Sequence, residues 1–394
     1  MTRQKLWTRS FVVITLELFL ISMNFYLLMT VVSKFAIDRF GASTALAGLS
    51  ASIFVIGGLV VRPLSGKWIH RVGQMRTLYA GALLSLVMTL LYFAVTSTAL
   101  LLLIRLLHGV AFGVTTVATG TIVAGIVPRE RYGEGIGYFT LGSTMAVAIG
   151  PFIGLLLIQH DNFGSIIIAC SIVSAIGAVI LPLLSVPELE LAEKQAEDAK
   201  GFKLSNLVEL HVVPISLTLL ITYLCYASVV SFLALYSEQI KLAGAASLFF
   251  IVFAVAIFVT RPFVGRRLDA KGENSVMYPA FIIFAVSLAV FSQARVGYVL
   301  LLAAAVMGLG FGALQSSGQA ITVKITPPHR MGLATSTRFM FLDMGSGVGP
   351  LLWGIVIPFT GYRGMYVAVA IVAAGCLLLY YALYGRRAGV TPVS

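Results

Sequence analysis

Long apolar blocks follow one another along almost the whole chain, and they limit what it can fold into. Examples are residues 11–33, 78–95, 166–184 and 276–292, each close to the roughly 20 residues that a helix needs to cross a bilayer. The chain is 59% hydrophobic and only 11% charged, with a mean hydropathy of +0.98, whereas soluble domains carry about 25% charged residues. The sequence therefore predicts an all-α integral membrane protein with about twelve spanning helices.

Lysine and arginine are concentrated in alternate connections between these blocks. With the N-terminus inside the cell, the basic connections all fall on the cytoplasmic side, as the positive-inside rule requires. Examples are Lys5, Lys67, Arg129, Arg266 and Arg386. The pattern predicts a multi-pass protein of the cell membrane with both termini in the cytoplasm. It also explains the net charge of +12 without a nucleic-acid partner.

The chain repeats itself at an offset of 199 residues. "VRPLSGKWIHRVG" at 61–73 returns as "TRPFVGRRLDAKG" at 260–272, and Gly109 and Gly150-Pro151 return as Gly308 and Gly349-Pro350. Two six-span halves of the same orientation imply a pseudo-two-fold axis along the membrane normal. We expect one bundle over 1–186 and a second over 205–394. The charged run within 187–204 is the expected cytoplasmic linker.

Three motifs accompany the repeat. A G-x-x-x-[D/H]-R-x-G-type segment follows the second span, Arg105-x-x-His108-Gly109 lies in the fourth, and Gly150-Pro151-x-x-Gly154 lies in the fifth. The chain thus resembles the major facilitator superfamily and, within it, the twelve-span drug:proton antiporters. The resemblance implies the major facilitator fold, two pseudo-symmetric six-helix bundles that rock around a site at the membrane midplane.

The resemblance also implies a gate in the loops after spans two and eight. Glycine there allows close backbone approach and a tight turn. In the family, an aspartate four residues after the first glycine helps to close the cytoplasmic side by facing a helix N-terminus. Asp269 holds that place, whereas His70 replaces the aspartate in the first copy, where a basic turn kept for topology is the alternative. The gate residues are Gly66, His70, Arg71, Gly73, Gly265, Asp269 and Gly272.

Proline inside a helix removes a hydrogen bond and clashes with the preceding turn. Gly150-Pro151 and Gly349-Pro350 therefore predict bends in spans five and eleven. In the resembled family the span-five element is associated with export. Generic helix packing is the alternative, because glycine and proline are common in membrane helices.

Five ionisable side chains inside the spans are candidates for proton coupling: Glu17, Arg105, His108, Arg338 and Asp343. A charge at the centre of a spanning helix costs about 2.5–3.5 kcal/mol, so it is kept for a use. The resemblance implies proton transfer for Arg105, whose alternative role is to bind backbone carbonyls or Glu17. His108 either joins a relay or is simply hydrogen-bonded. Glu17 ranks ahead of Asp343, which is alternatively a partner of Arg338.

Aromatic and polar side chains on spans one and seven are the candidates for a substrate cavity. Such rings, with a few hydrogen-bonding points, suit flat or amphipathic substrates. Packing or anchoring at the membrane interface is the alternative for each of them. The candidates are Asn24, Phe25, Tyr26, Tyr223, Tyr226, Phe232 and Tyr236.

These observations together predict a monomeric, proton-coupled exporter of small lipophilic or amphipathic molecules. Protonation of Glu17 from outside would expel a competing cationic substrate, and deprotonation inside would reset the site. An exporter or symporter of one metabolite, such as a sugar or a metal chelator, is the alternative within transport. A non-transporting membrane scaffold is the alternative of another class, against which the buried charges argue. We expect no enzyme activity, metal or cofactor, because the catalytic and metal-ligand spacings are lacking.

The topology is open to a direct test. Reporter fusions after Lys200 and at Ser394 should both report the cytoplasm, because both positions follow an even number of spans. An external signal at either position would contradict the division into two halves.

Overall fold

The computed structural model describes residues 5–128, 131–160, 163–186, 208–327 and 330–386, which form long helices joined by short turns. The first half of the chain contains α1 Arg9–Phe40, α2 Thr44–Val72, α3 Gln74–Leu91, α4 Thr98–Ile126, α5 Tyr132–His160 and α6 Phe163–Ile180. The second half continues with α7 Val213–Gln239, α8 Ala243–Lys271, α9 Asn274–Ser292 and α10 Gly297–Lys324.

The last helical stretch, Met331–Tyr380, is 50 residues long. At about 1.5 Å per residue it would measure about 75 Å, more than twice the roughly 30 Å of a bilayer's hydrocarbon core. Gly361 divides it, because its backbone is non-helical (φ 66°, ψ 175°). The two parts are α11 (331–360) and α12 (362–380). The described residues contain 11 apolar helices long enough to span a membrane, and this division makes them twelve, as the sequence predicts.

The sequence repeat is also a repeat of structure. An offset of 199 carries the start of α2, Thr44, onto the start of α8, Ala243, and its end, Val72, onto Lys271. The same offset carries Thr98 in α4 onto Gly297 in α10. The two halves therefore share helix boundaries as well as motifs.

Helix contacts divide the chain into two compact units. Unit 1 comprises Met1–Ala42 and Leu49–Ala196, and unit 2 comprises Ser43–Gly48 and Glu197–Ser394. In unit 1, α1 packs on α5 and α6, and α3 packs on α4 and α6. In unit 2, α7 packs on the 331–380 stretch, and α10 packs on α8 and α9. The predicted linker, 187–204, lies outside the described residues, so the predicted bundle limits stay a prediction.

The start of α2 is assigned to unit 2 although the rest of α2 is in unit 1. Within unit 2, the Thr44 hydroxyl donates a hydrogen bond of 2.7 Å to the carbonyl of Gly354. This six-residue exception was not expected from the sequence.

The segments expected to be gate loops are mostly helical, which corrects the expected loop conformation, whereas their role as a gate stays a prediction. Helix α2 continues through Gly66 and Arg71 to Val72, and α8 continues through Gly265 to Lys271. The break falls only at the second glycine of each copy, because Gly73 and Gly272 have positive φ angles of 92° and 74°. The side chains of His70 and Asp269 lie outside the described part of the structure.

Large apolar side chains cover the outward faces of both units. A water-soluble protein rarely exposes contiguous apolar patches of more than a few hundred Å², whereas lipid tails solvate such surfaces. Examples that are more than half exposed are Leu83, Val179, Val255, Phe263, Ile371 and Leu378.

One close helix crossing occurs in both units. A Cβ atom added to Gly109 in α4 would lie 1.8 Å from the carbonyl oxygen of Phe54 in α2. At the repeat-related position, a Cβ on Gly308 in α10 would lie 2.3 Å from the carbonyl oxygen of Phe253 in α8. Small residues let membrane helices approach at such points, where packing drives association.

The crossing predicts the effect of a single methyl group. Gly109→Ala forces α2 and α4 apart, and we expect it to destabilise the fold by about 1–3 kcal/mol, as other overpacked sites do. The measurement is the melting midpoint of the purified protein in detergent. Gly120→Ala in the same helix is the matched control, since nothing lies within 4 Å of a Cβ there. Equal midpoints for the two variants would contradict the assigned crossing.

Candidate functional site

Glu17 lies on α1 and directs its carboxyl group at α6. A Cβ on Gly177 would lie 2.9 Å from Glu17 Oε2, so the glycine makes room for the carboxyl group. Glu17 is only 3% exposed, and within the described part of the chain Oε2 has no hydrogen-bond partner. Burial without a partner strongly disfavours a carboxylate charge.

Asn24, two turns after Glu17, belongs to a polar network between α1, α3 and α6. Its Nδ2 donates to Ser174 Oγ at 2.6 Å and to Thr89 Oγ1 at 3.3 Å. Ser174 and Thr89 also contact each other at 3.3 Å. The amide proposed to line a cavity is thus held by hydrogen bonds inside unit 1.

His108 is hydrogen-bonded through both ring nitrogens. Nε2 lies 3.2 Å from Ser85 Oγ, and Nδ1 lies 3.3 Å from Tyr92 OH. Thr89 Oγ1 donates to the Ser85 carbonyl at 2.8 Å. The histidine therefore lies close to the network of Asn24, separated from it by one turn of α3.

Arg105, one turn before His108, is fully buried. Its Nε donates to the carbonyl of Ser50 at 2.9 Å, and its guanidinium carbon lies 4.5 Å from the centre of the Phe54 ring. This contact with a backbone carbonyl corresponds to the alternative, structural role that the sequence analysis considered for Arg105. Nη1 has no hydrogen-bond partner among the described residues.

Each unit contains a triangle of aromatic rings next to its close helix crossing. In unit 1 the rings of Phe25, Phe54 and Phe112 have centres 5.0–5.4 Å apart, and Tyr26 lies 4.7 Å from Phe25.

In unit 2 the triangle consists of Tyr226, Phe253 and Phe311, with ring centres 4.4–5.7 Å apart. The offset of 199 relates Phe54 to Phe253 and Phe112 to Phe311. These four phenylalanines were not among the predicted cavity residues, although the repeat could have identified them.

Tyr223 joins the unit 2 triangle to a polar contact. Its ring lies 5.1 Å from Phe311, and its hydroxyl oxygen accepts a hydrogen bond of 2.9 Å from Gln315 Nε2. The charges of Arg338 and Asp343 on α11 act on the same hydroxyl group. Four predicted residues, counting Tyr226, are thus brought together in unit 2.

Arg338 is a buried cation of unit 2. It is 4% exposed, and its guanidinium carbon lies 4.8 Å from the centre of the Phe339 ring. Its Nε and Nη1 have no hydrogen-bond partner within the described ranges. Two N–H groups of this buried cation are therefore available to donate hydrogen bonds to an acceptor outside the described residues.

Phe232 and Tyr236 lie further along α7, away from this cluster. Tyr236 donates to the carbonyls of Phe291 and Ser292 at 3.2 and 3.0 Å. Phe232 is fully buried, with its ring 6.4 Å from that of Tyr362. Both contacts pack α7 against neighbouring elements of unit 2.

The two predicted bend sites are tightly packed. A Cβ on Gly150 would lie 2.8 Å from Tyr26 Cβ, and one on Gly349 would lie 2.7 Å from the carbonyl oxygen of Leu224. Pro151 and Pro350 follow inside α5 and α11. The glycines bring these helices close to α1 and α7, and the bends themselves stay a prediction.

A charged cluster lies where the chain enters α7. Glu209 Oε1 lies 2.8 Å from His211 Nδ1, and Oε2 lies 2.6 Å from Arg330 Nε in an ionic contact outside hydrogen-bonding geometry. The Glu209 N–H donates to Thr337 Oγ1 at 2.9 Å. Burial of Glu209 opposes its charge, but the hydrogen bonds from His211 and the charge of Arg330 outweigh burial and lower its pKa.

The model of the Major Facilitator Superfamily matches residues 14–272 and 243–393. The chain belongs to this superfamily. It is therefore a multi-pass membrane protein and a secondary transporter of the major facilitator type. Members bind small-molecule substrates.

Relatives and solved structures agree with this membership. A major facilitator-type transporter described as uncharacterised, from Burkholderia mallei (strain SAVP1), is 27% identical over 374 residues, which cover 91% of this chain and 88% of the relative.

A bacterial homologue of the human lysosomal transporter Spinster, inward-facing and occupied, has a TM-score of 0.76 at 14% identity, covering 97% of this chain and 98% of that one. A mutant of the nucleoside transporter NupG has a TM-score of 0.72 at 15% identity, covering 94% of this chain and all of that one. These structural likenesses concern the fold alone.

The cluster at Glu209 makes the stability of this major facilitator protein depend on pH. Because the folded state lowers the pKa of Glu209, its carboxylate stabilises the fold above the ordinary value of 4.5, and this contribution disappears as the pH falls through the lowered pKa. We expect Glu209→Gln to lower the melting midpoint at neutral pH by about 2–4 °C. The difference from the wild type should shrink in acid.

The control is Asp38→Asn, which removes a half-exposed carboxylate paired with Lys34 at 2.8 Å. Surface pairs of this kind contribute about 0–1 kcal/mol, so the midpoint should hardly move. A Glu209→Gln deficit that is the same at neutral and acid pH would contradict the ionic role.

Proposed function

We propose that this transporter couples the export of small lipophilic or amphipathic compounds to proton entry, as a monomer in the cell membrane. The observation that carries the proposal is the buried carboxyl group of Glu17, which has no hydrogen-bond partner for Oε2 among the described residues. The Gly150-Pro151 motif supports export as the direction of transport, because this motif is associated with export in the resembled family.

Glu17 suits a proton carrier because, among the described residues, Oε2 of its carboxyl group has neither a cation nor a hydrogen-bond donor as a partner. An ionisable group inside a membrane is expensive when charged, and such groups mark proton relays in pumps and transporters. A proton on Glu17 removes the charge, and its release restores it. Each event changes the free energy of one conformation relative to another, which is what coupling requires.

The aromatic triangles support the proposal that the substrates are amphipathic. Aromatic side chains offer large apolar faces with a defined geometry, and binding cavities combine such faces with a few polar groups. Tyr26 beside the first triangle and Tyr223 beside the second supply hydroxyl groups at their edges. A carrier of one metabolite is the second candidate, because the hydrogen bond between Gln315 and Tyr223 provides a fixed polar point.

The coupling role of Glu17 predicts a selective loss. Glu17→Gln keeps the size of the side chain but removes its titration, so we expect proton-driven efflux of the dye Nile red from energised cells to fall at least tenfold, with expression unchanged. Asp343→Asn should reduce efflux less. Asp38→Asn, at a half-exposed carboxylate of unit 1, is the matched control and should leave efflux intact.

A second variant acts on Glu17 from its neighbour. Gly177→Ala places a methyl group 2.9 Å from the carboxyl oxygen, and we expect it to shift the pH profile of efflux, whereas Gly120→Ala should not.

Wild-type coupling in Glu17→Gln would refute the assignment and transfer the role to Asp343 or to the turn of Arg105 and His108.

A further inference from the structure

We propose that Arg338, Tyr223 and Gln315 form a subsite for the carboxylate of an organic anion, so that the exported amphipathic compounds include anions. This inference rests on the proposed transport function and adds the charge of the substrate to it. The subsite lies within unit 2, among α7, α10 and α11.

Arg338 has unmet hydrogen-bonding capacity within the described residues. Its side chain is 4% exposed, and Nε and Nη1 have no acceptor in the part of the chain that the structure describes. A guanidinium group does not lose its proton in proteins, and a buried charge without a partner is strongly destabilising. Nη1 belongs to the Nη1–Nη2 end of the guanidinium fork, which binds a carboxylate with two parallel hydrogen bonds, and Nε is a separate donor for a further acceptor.

The neighbouring polar pair, Gln315 and Tyr223, is oriented so that it can donate a hydrogen bond to a ligand. Gln315 Nε2 donates to the Tyr223 oxygen, so the hydroxyl hydrogen of Tyr223 is left to donate to another acceptor. Tyr223 is close enough to Arg338 for the charge of the arginine to act on it. The cluster thus presents donors from two helices, which suits an acceptor-only group such as a carboxylate.

An apolar surface lies beside these donors. The Phe339 ring covers one face of the guanidinium group at 4.8 Å, and the Tyr223 ring borders Phe311 at 5.1 Å. A ligand with a carboxylate and a flat apolar body satisfies both features. The charge of Asp343 also acts on Tyr223, but Asp343 accepts from neither of the two unmet Arg338 donors.

The repeat-related residue in unit 1 also favours a binding role for Arg338. The offset of 199 relates Arg338 to Phe139 in unit 1, which is a buried apolar side chain at 7% exposure. The shared fold is therefore compatible with an apolar residue at this position. The arginine of unit 2 adds a charge that the packing does not require, and binding accounts for it.

The test compares three probes that share one ring system. Naphthoate, naphthamide and naphthylmethylammonium are titrated against the full-length protein in phosphatidylcholine nanodiscs, without a proton gradient. We expect naphthoate to bind at least tenfold more tightly than naphthamide, and naphthylmethylammonium to bind most weakly. Arg338→Gln should abolish the preference for naphthoate, Arg338→Lys should keep part of it, and Tyr223→Phe should reduce it.

Arg295→Gln, which removes an exposed cation of the same unit, is the matched control and should keep the full preference. Naphthamide affinity that is unchanged in Arg338→Gln shows that the variant is folded. Equal binding of naphthoate and naphthamide by the wild type, no naphthoate binding, or a preference that survives Arg338→Gln would overturn the inference. A preference for the cation would overturn it and leave proton-coupled efflux, tested through Glu17, standing.

Discussion

The close crossing of two helices in each unit positions much of the candidate site. At Gly109 the backbone of α4 meets the carbonyl of Phe54 so closely that no Cβ fits between them. The ring of the same phenylalanine stacks on Phe25, makes a tilted contact with Phe112 and lies beneath Arg105. A wider crossing would displace the ring and the guanidinium group together. Phe253 combines the same two roles in unit 2, where its carbonyl faces Gly308 and its ring contacts Tyr226.

The two units share the positions that pack the crossings and differ at buried positions that carry charge. The offset of 199 relates glycine to glycine and phenylalanine to phenylalanine at the crossings, but Glu17 to Ser216 and Arg338 to Phe139. The polar network around Asn24 belongs to unit 1, and at the related position unit 2 has Tyr223. The repeat thus preserves a scaffold, while each copy carries its own chemistry.

Hydropathy and the repeat were sufficient to predict the helices, because a bilayer sets their length and the duplication checks each boundary. They were insufficient to show which way a side chain faces. A helix that is apolar all round has no polar face to orient it, so the direction of Glu17 towards Gly177 could not be derived. The helical course of α2 through Gly66 was also missed, because a glycine with an ordinary backbone conformation looks the same in sequence as one that ends a helix.

Gly361 forms a hinge between the last two helices, so a small rotation at this residue would move the distant end of α11. Immediately after this single non-helical residue, Arg363 donates to the carbonyl of Ala294 at 3.1 Å and Tyr366 donates to the carbonyl of Ser228 at 3.2 Å. These bonds hold the start of α12 in place, directly after the break at Gly361. Arg338 lies 23 residues from Gly361, or about 34 Å along the helix. A tilt of about 5° there would move the arginine by about 3 Å, enough to make or break a hydrogen bond, while the hinge itself hardly moves.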